Sequence, residues 1–475
     1  MISIDGGHMS GAHIVAAARR QDRVTLTSEA RARATRSYEL ADRVSRERRV
    51  YGRSTGVGAN RDVVMPGSAA QSRSLLRSHA TSAGQLRSPE RVRAMLVVRL
   101  NQLAAGGSGS SPALLDALLD MIAADALPAI REHGSIGTGD LPALATTALA
   151  LAGEAPTDEP MPSVFEFGAH DALSFISSNA ATIGDAALAC ADLQVLGRAC
   201  VVVAALTFSA VEGNPEAFAA AVERVTPFEG SRQVCRWMRS LTDSGATPAR
   251  IQDPFGLRTF PQVHGPVFDS LSQLDAVIGG LANAPSENPV WLPSDDNPGE
   301  LAHHGGFHAA YLATALDTSV STVAQSASLV LSRLAILNEP SFTRLPAFLG
   351  DGTPGASGVM TLEYVAASAL GEIRSAASPA ASQSVVLSRG VEEHASFASM
   401  AARQLASTGP NLQMMLACEL VAAVRALRLR HRSLVPGLAD VMAAYSILSA
   451  DTADRDLSPD IEMAETLLPQ LAELL

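Results

Sequence analysis

A chain of 475 residues with 47% hydrophobic content can bury a large core, and an aromatic fraction of only 4% means that core is built mostly from Ala, Leu and Val. A formal net charge of −12 argues against nucleic acid and anionic membranes as partners. The four cysteines, Cys190, Cys200, Cys235 and Cys418, form no CxxC pair and read as reduced, buried thiols of a cytoplasmic protein. In chain order, the N-terminus has no basic segment followed by an apolar one, so no signal peptide is read. Met1–Asp62 is expected to mix short β-like runs with one amphipathic helix, Ser28–Arg48, which is rich in Arg, Glu and Ala and capped by Thr27 or Ser28. The Gly-rich turn Tyr51–Gly58 follows. Helices are expected over Pro89–Leu103 and Ala113–Leu127, the second with Leu114, Leu115, Leu118, Leu119 and Ile122 on one face. Gly106–Ser111 between them is a loop by composition.

After Ser177 the pattern is almost purely helical. The expected helices are Asn179–Val211, His264–Ala284, His308–Leu337, Met360–Ala377, His394–Thr408 and Leu412–Arg430, separated by Pro and Gly clusters. Long helices placed side by side predict a mainly α, elongated helical bundle with a smaller N-terminal mixed α/β region. The division is 1–178 and 179–475, joined as one integrated unit. The most apolar run, Ala199–Val211, is shorter than the ~20 residues of a membrane span, and a buried core helix is expected there.

Several short motifs then appear in a fixed order. Tyr51-Gly52-Arg53-Ser54-Thr55-Gly56-Val57-Gly58 is followed by Leu76-Arg77-Ser78-His79-Ala80 and by Gly134-Ser135-Ile136-Gly137-Thr138-Gly139-Asp140-Leu141. Further on come Gln252-Asp253-Pro254-Phe255-Gly256-Leu257-Arg258, Ser286-Glu287-Asn288-Pro289, Gly305-Gly306-Phe307-His308 and Glu392-Glu393-His394. Each is modest alone. In this order, from about Ile2 to the C-terminus, the series resembles the histidine, phenylalanine and tyrosine ammonia-lyase and aminomutase family, nearest its histidine branch. The resemblance implies a fumarase/aspartase-like helical fold and a homotetramer whose active sites each draw on three chains. It also implies an electrophile, 4-methylidene-imidazol-5-one, made by cyclisation of an Ala-Ser-Gly tripeptide.

Carried over residue by residue, Tyr51 matches the family's catalytic loop tyrosine, and Arg258 the arginine that grips the substrate carboxylate. A planar guanidinium suits that two-pronged task. Ser78 and His79 match a Ser-His pair of the histidine branch, Glu392 its pocket glutamate, and Phe307 an active-site phenylalanine. Asn288 falls in a motif read as structural. By residue type alone these would be a turn tyrosine, a helix-surface arginine and solvated polar groups.

The departures cluster at the electrophile. The family's Gly-Ser-Val-Gly-Ala-Ser-Gly-Asp-Leu is here Gly-Ser-Ile-Gly-Thr-Gly-Asp-Leu, one residue shorter, so Gly137, Thr138 and Gly139 stand where the tripeptide should be. The helper Asn-Gly is Ser177-Ser178, the second catalytic tyrosine is Phe255, and the Asn before Phe307 is Gly306. The expected cofactor set is therefore empty, with no methylidene-imidazolone. His303, His304 and His308 lie close in sequence, but no metal is expected, since the stretch matches a family motif and lacks a third ligand in a dry shell. The expected function is an elimination, addition or isomerisation on a small carboxylate substrate, with Tyr51, His79 and Glu392 catalytic and Ser78, Arg258, Phe307, Ser177 and Phe255 around the substrate. Two alternatives stay open: an ammonia-lyase or aminomutase with an electrophile derived from Thr138, and a non-catalytic member that binds a ligand or pairs with an active paralogue.

Overall fold

Uninterrupted Ala- and Leu-rich stretches become long helices, and the computed structural model is mainly α. It describes residues 1–243, 245, 247–294, 299–430, 435, 438–439, 441 and 445–475. The longest helices are Ala180–Ala210, Phe260–Ala282, Ala310–Asn338 and Ala398–Arg430. Among the described residues, strands occur only as three two-stranded pairs: Ile2–Ile4 parallel to Val24–Leu26, and the antiparallel pairs Ala83–Leu86 with Arg131–His133 and Val290–Leu292 with Glu300–Ala302.

Contacts divide the chain into two units, each assembled from separated segments. The first is Met1–Ala191 with Leu274–Asp317 and Pro379–Ala406; the second is Asp192–Gln273 with Thr318–Ser378 and Ser407–Leu475. In the first unit, Thr27 caps the helix Ser28–Glu47 by accepting the Ala30 N–H. The helix Pro89–Ala104 is buried without a break from Val92 onward. The glycine and serine loop 106–110 is buried as well, and the Gly107 carbonyl accepts the N–H of Trp291 at 2.9 Å. Trp291 packs with Leu40, Ala41 and Val50, and the Arg53 guanidinium lies 4.5 Å over its ring.

The second unit holds a buried ion pair. Arg333 Nε and Nη2 donate to the two carboxylate oxygens of Glu419 at 2.6 and 2.8 Å, and Thr207 Oγ1 donates to the same carboxylate at 2.7 Å. Burial pulls the Arg333 guanidinium down, but the charge and hydrogen bonds of Glu419, aided by Cys200, reverse this and raise its pKa. Nearby, the buried His264 meets Ser326 Oγ through Nδ1 at 2.6 Å and Gly197 O through Nε2 at 2.9 Å. Its pKa falls to about 4, chiefly through burial and further through Arg333, against the opposing bond to Gly197.

Three expectations change. Residues 1–62 contain a second helix, Gly11–Ala18, started by a reciprocal cap between Ser10 and His13. It is short and apolar, so it lacks the polar face that marks an amphipathic helix. His394–Thr408 and Leu412–Arg430 are not two helices: Ala398–Arg430 runs through Pro410. The proline has no N–H to give to the carbonyl four residues back, and the helix continues on either side of it; Asn411 Nδ2 donates to Ser407 O at 2.9 Å. Length does not set the apolar helix apart from a membrane span either. The stretches Ala172–Ala210 and Ala310–Asn338 both reach spanning length, and 78% and 56% of their most apolar windows are buried inside the protein.

Candidate active site

The first unit carries an open cavity of about 1040 Å³. Five residues singled out in the sequence line it together: Tyr51, Thr138, Ser177, Phe307 and Glu392. Tyr51 comes from the Gly-rich turn, which curls so that the Gly58 N–H donates to the phenol oxygen at 2.8 Å. Burial raises the Tyr51 pKa most, Glu392 raises it further, and the Gly58 bond and the Arg61 charge oppose them. The outcome is a phenol that keeps its proton at neutral pH.

Ser177 is held from below. The fully buried Arg99 donates to Phe175 O at 2.9 Å, to Gln102 Oε1 at 3.1 Å and to Ser174 O, and Ser178 Oγ donates to the same Gln102 oxygen at 2.6 Å. Ser177 Oγ accepts the Asn288 N–H at 3.3 Å. Arg99 also faces Glu287, with Nη2 and Oε1 2.8 Å apart, yet neither Glu287 oxygen has a properly aligned hydrogen bond. Burial raises the Glu287 pKa, and Arg99 counters it.

The Gly137–Gly139 turn is pinned on all sides. The Gly137 carbonyl accepts the Ala309 N–H at 3.0 Å and the Ser396 hydroxyl at 2.9 Å. The Gly139 N–H donates to Asn179 Oδ1 at 3.1 Å, and Asn179 Nδ2 donates to Phe307 O. The Asp140 N–H donates to Ser178 O at 2.6 Å, and its buried carboxylate accepts from Ser135 Oγ and from the Thr182 N–H and hydroxyl. Gly137 has φ of +85°, and a Cβ there would overlap Ser396 Oγ and lie 2.8 Å from the Ala398 nitrogen.

The remaining sequence candidates lie elsewhere. Ser78 and His79 end the helix Ala69–His79. Ser78 Oγ and His79 Nδ1 are 3.0 Å apart, and each lies 2.9 Å from Leu75 O; neither residue lines the cavity. Phe255 and Arg258 belong to the second unit and are not part of this cavity. The Arg258 guanidinium stacks 4.8 Å over the Phe255 ring, and its Nε is buried without a partner.

Other lining residues were not expected. Arg49 and Arg61 line the cavity and belong to none of the sequence motifs. Asn288, assigned a structural role, is both: its side-chain oxygen accepts the His304 N–H at 3.0 Å, and it lines the cavity. His308 and His394 also line it, with Nε2 and Nδ1 3.0 Å apart. The three histidines weighed as a cluster therefore diverge. His303 Nε2 accepts the Tyr51 N–H at 3.2 Å, His304 Nε2 donates to Glu287 O at 2.7 Å, and His308 turns to His394. Among the described residues no three His, Cys, Asp or Glu side chains form a metal-ligand group.

A mainly helical chain with a Tyr-, Glu- and His-lined cavity beside a pinned glycine turn defines a lyase of the ammonia-lyase type. The family model described as aromatic amino acid lyase matches residues 9–447. The chain belongs to the aromatic amino acid lyase family and is an enzyme of the lyase class. It is 34% identical to a histidine ammonia-lyase of Symbiobacterium thermophilum, over 98% of this chain and 96% of that protein. It is 31% identical to the histidine ammonia-lyase of Bos taurus, over 98% of this chain and 75% of that protein. Among solved structures it is similar to histidine ammonia-lyase from Trypanosoma cruzi, with a TM-score of 0.90 and 25% identity, covering 100% of this chain and 94% of that one. The ergothioneine-degrading enzyme ergothionase from Treponema denticola gives a TM-score of 0.92 at 23% identity, covering 100% and 99%, a likeness of fold.

Proposed function

We propose that this lyase works without the methylidene-imidazolone and catalyses an elimination, addition or isomerisation on a small carboxylate substrate. One observation carries the reading: the residues present do not fit the ring-forming tripeptide. The place an alanine Cβ would take at position 137 is filled by Ser396 Oγ, the central serine is Thr138, and the Gly139 N–H, the nucleophile of any ring closure, is committed to Asn179. Without that electron sink, general acid–base catalysis supplies only about 10²–10⁴-fold. The carbon that loses the proton must then be acidified by the substrate itself. Tyr51 is the acid/base group. It rests as a phenol, and a substrate cation placed beside it would draw its pKa down toward use as a base. Glu392 meets the polar end of the substrate, and Arg258 grips the carboxylate.

In the proposed assembly, a cytoplasmic homotetramer, Arg258 and Phe255 reach the site from other chains. Large exposed side chains support it: Ile251 is 87% exposed, Tyr311 84% and Phe255 63%. The competing reading, a ring built on Thr138, draws on the two hydrogen bonds that polarise the Gly137 carbonyl. Intact mass separates the two readings. The sequence mass is expected, and a mass lower by two waters overturns the proposal. Light scattering is expected to show a tetramer. A turnover panel of histidine, phenylalanine, tyrosine and ergothioneine is expected to show no rapid ammonia release from the first three.

A further inference from the structure

We propose that Thr138, as an unmodified side chain, is a substrate-binding residue whose hydroxyl hydrogen-bonds a polar group of the bound amino-acid-like carboxylate. The inference rests on the reading that no ring forms at this turn.

It stands on a contrast within three residues. On either side of Thr138 the backbone is immobilised: the Gly137 carbonyl by two donors, the Gly139 N–H by Asn179, and the Asp140 N–H by Ser178 O. The glycines themselves are buried, and both have φ in the left-handed region, +85° and +113°. Thr138, between them, is half-buried, lines the cavity, and its hydroxyl makes no hydrogen bond to the described residues. A β-branched side chain on a fixed backbone has few rotamers open to it. The hydroxyl is thus presented to the cavity in a set direction with its donor and acceptor capacity unspent. A ligand that displaces water here gains a hydrogen bond at little cost in ordering. Serine would offer the same hydroxyl with more rotational freedom, and valine the same shape without it.

The test uses the full-length protein in its native assembly, with L-histidine as the probe. Intact mass of native protein, Thr138→Val and Thr138→Ser comes first; all are expected to match their sequences. Calorimetric titration should then show Thr138→Val binding about three- to tenfold more weakly than native, and Thr138→Ser within about twofold. Thr138→Cys provides an independent check, because the four native cysteines are buried. Iodoacetamide should add one carboxamidomethyl group to that variant and none to native protein, and L-histidine should slow the reaction. A native mass lower by two waters overturns the parent reading and this inference with it. An unmodified native protein that binds L-histidine, with Thr138→Val binding as tightly, overturns this inference alone. So does a Thr138→Cys variant that iodoacetamide leaves untouched, or a native protein that takes up no L-histidine.

Discussion

Among the described residues each unit holds a fully buried arginine–glutamate pair, and the two are finished very differently. In the second unit Arg333 and Glu419 meet as two parallel hydrogen bonds, with Thr207 closing the carboxylate. In the first, Arg99 spends its aligned donors on backbone carbonyls and Gln102, so Glu287 has the charge it needs at 2.8 Å but no well-formed hydrogen bond. Completed polar networks belong to scaffold; an incomplete one deserves a functional reason. Here the incomplete pair adjoins the end of the short helix Ala172–Ile176 and the segment before the strand Val290–Leu292, next to the lining residues Ser177 and Asn288.

The largest expected effect falls on the finished pair. Glu419→Gln leaves a fully buried guanidinium without its charge partner and should cost about 3–5 kcal/mol of stability, measured by urea unfolding at neutral pH. A loss under about 1 kcal/mol would mean the pair contributes little beyond packing.

Next comes a pH effect beside the same pair. His264 is 1% exposed, and its pKa in the folded protein, about 4, lies below the ordinary value near 6.5. A depressed histidine binds its proton more readily in the unfolded chain, so its contribution is fully present above about pH 6.5 and is lost as pH falls toward 4. The change over that window is at most about 3 kcal/mol. His264→Gln should flatten the stability profile between pH 4 and 6.5 by about that amount. An unchanged slope would show that His264 is not held neutral by its surroundings.

How much of this was legible from sequence follows from the range of the signals. Helix existence was, because Ala and Leu runs bounded by Pro and Gly act locally; Ser28–Glu47 and Met360–Ala376 end within a residue of expectation. Pro410 was misread because a proline inside a helix costs one hydrogen bond locally, and the burial of residues on both sides that keeps Ala398–Arg430 continuous is not a local signal. The convergence of Tyr51, Thr138, Ser177, Phe307 and Glu392 was legible only as an ordered series of motifs, since no single one carries enough specificity. The His308–His394 contact and the Ser396–Gly137 bond join residues far apart in sequence, and no periodicity encodes them. Arg258 and Phe255 were placed with Tyr51 by resemblance, while the chain itself puts them in its other unit.

The smallest expected change in stability, and the one that sharpens the comparison most, is at Glu287. Its carboxylate is fully buried, and burial raises its pKa, so its ionised form is held at a cost that Arg99 only partly offsets. Glu287→Gln removes that cost while keeping the shape. Arg99 loses a counter-charge but keeps its bonds to Phe175, Ser174 and Gln102. The opposing effects should leave a net loss of about 1–2 kcal/mol, well below that of Glu419→Gln. Ligand binding should reverse the order. Glu287 carries the carbonyl that anchors His304, and the next N–H, of Asn288, is bonded to Ser177 at the cavity wall. A small shift of this segment moves two lining residues, whereas no residue of the Arg333–Glu419 pair lines that cavity. Glu287→Gln should therefore weaken L-histidine binding more than Glu419→Gln does, measured on folded protein at a temperature where both variants are intact. If Glu287→Gln instead costs as much stability as Glu419→Gln and leaves binding untouched, the unfinished pair is scaffold like the other, and its geometry has no tie to the cavity.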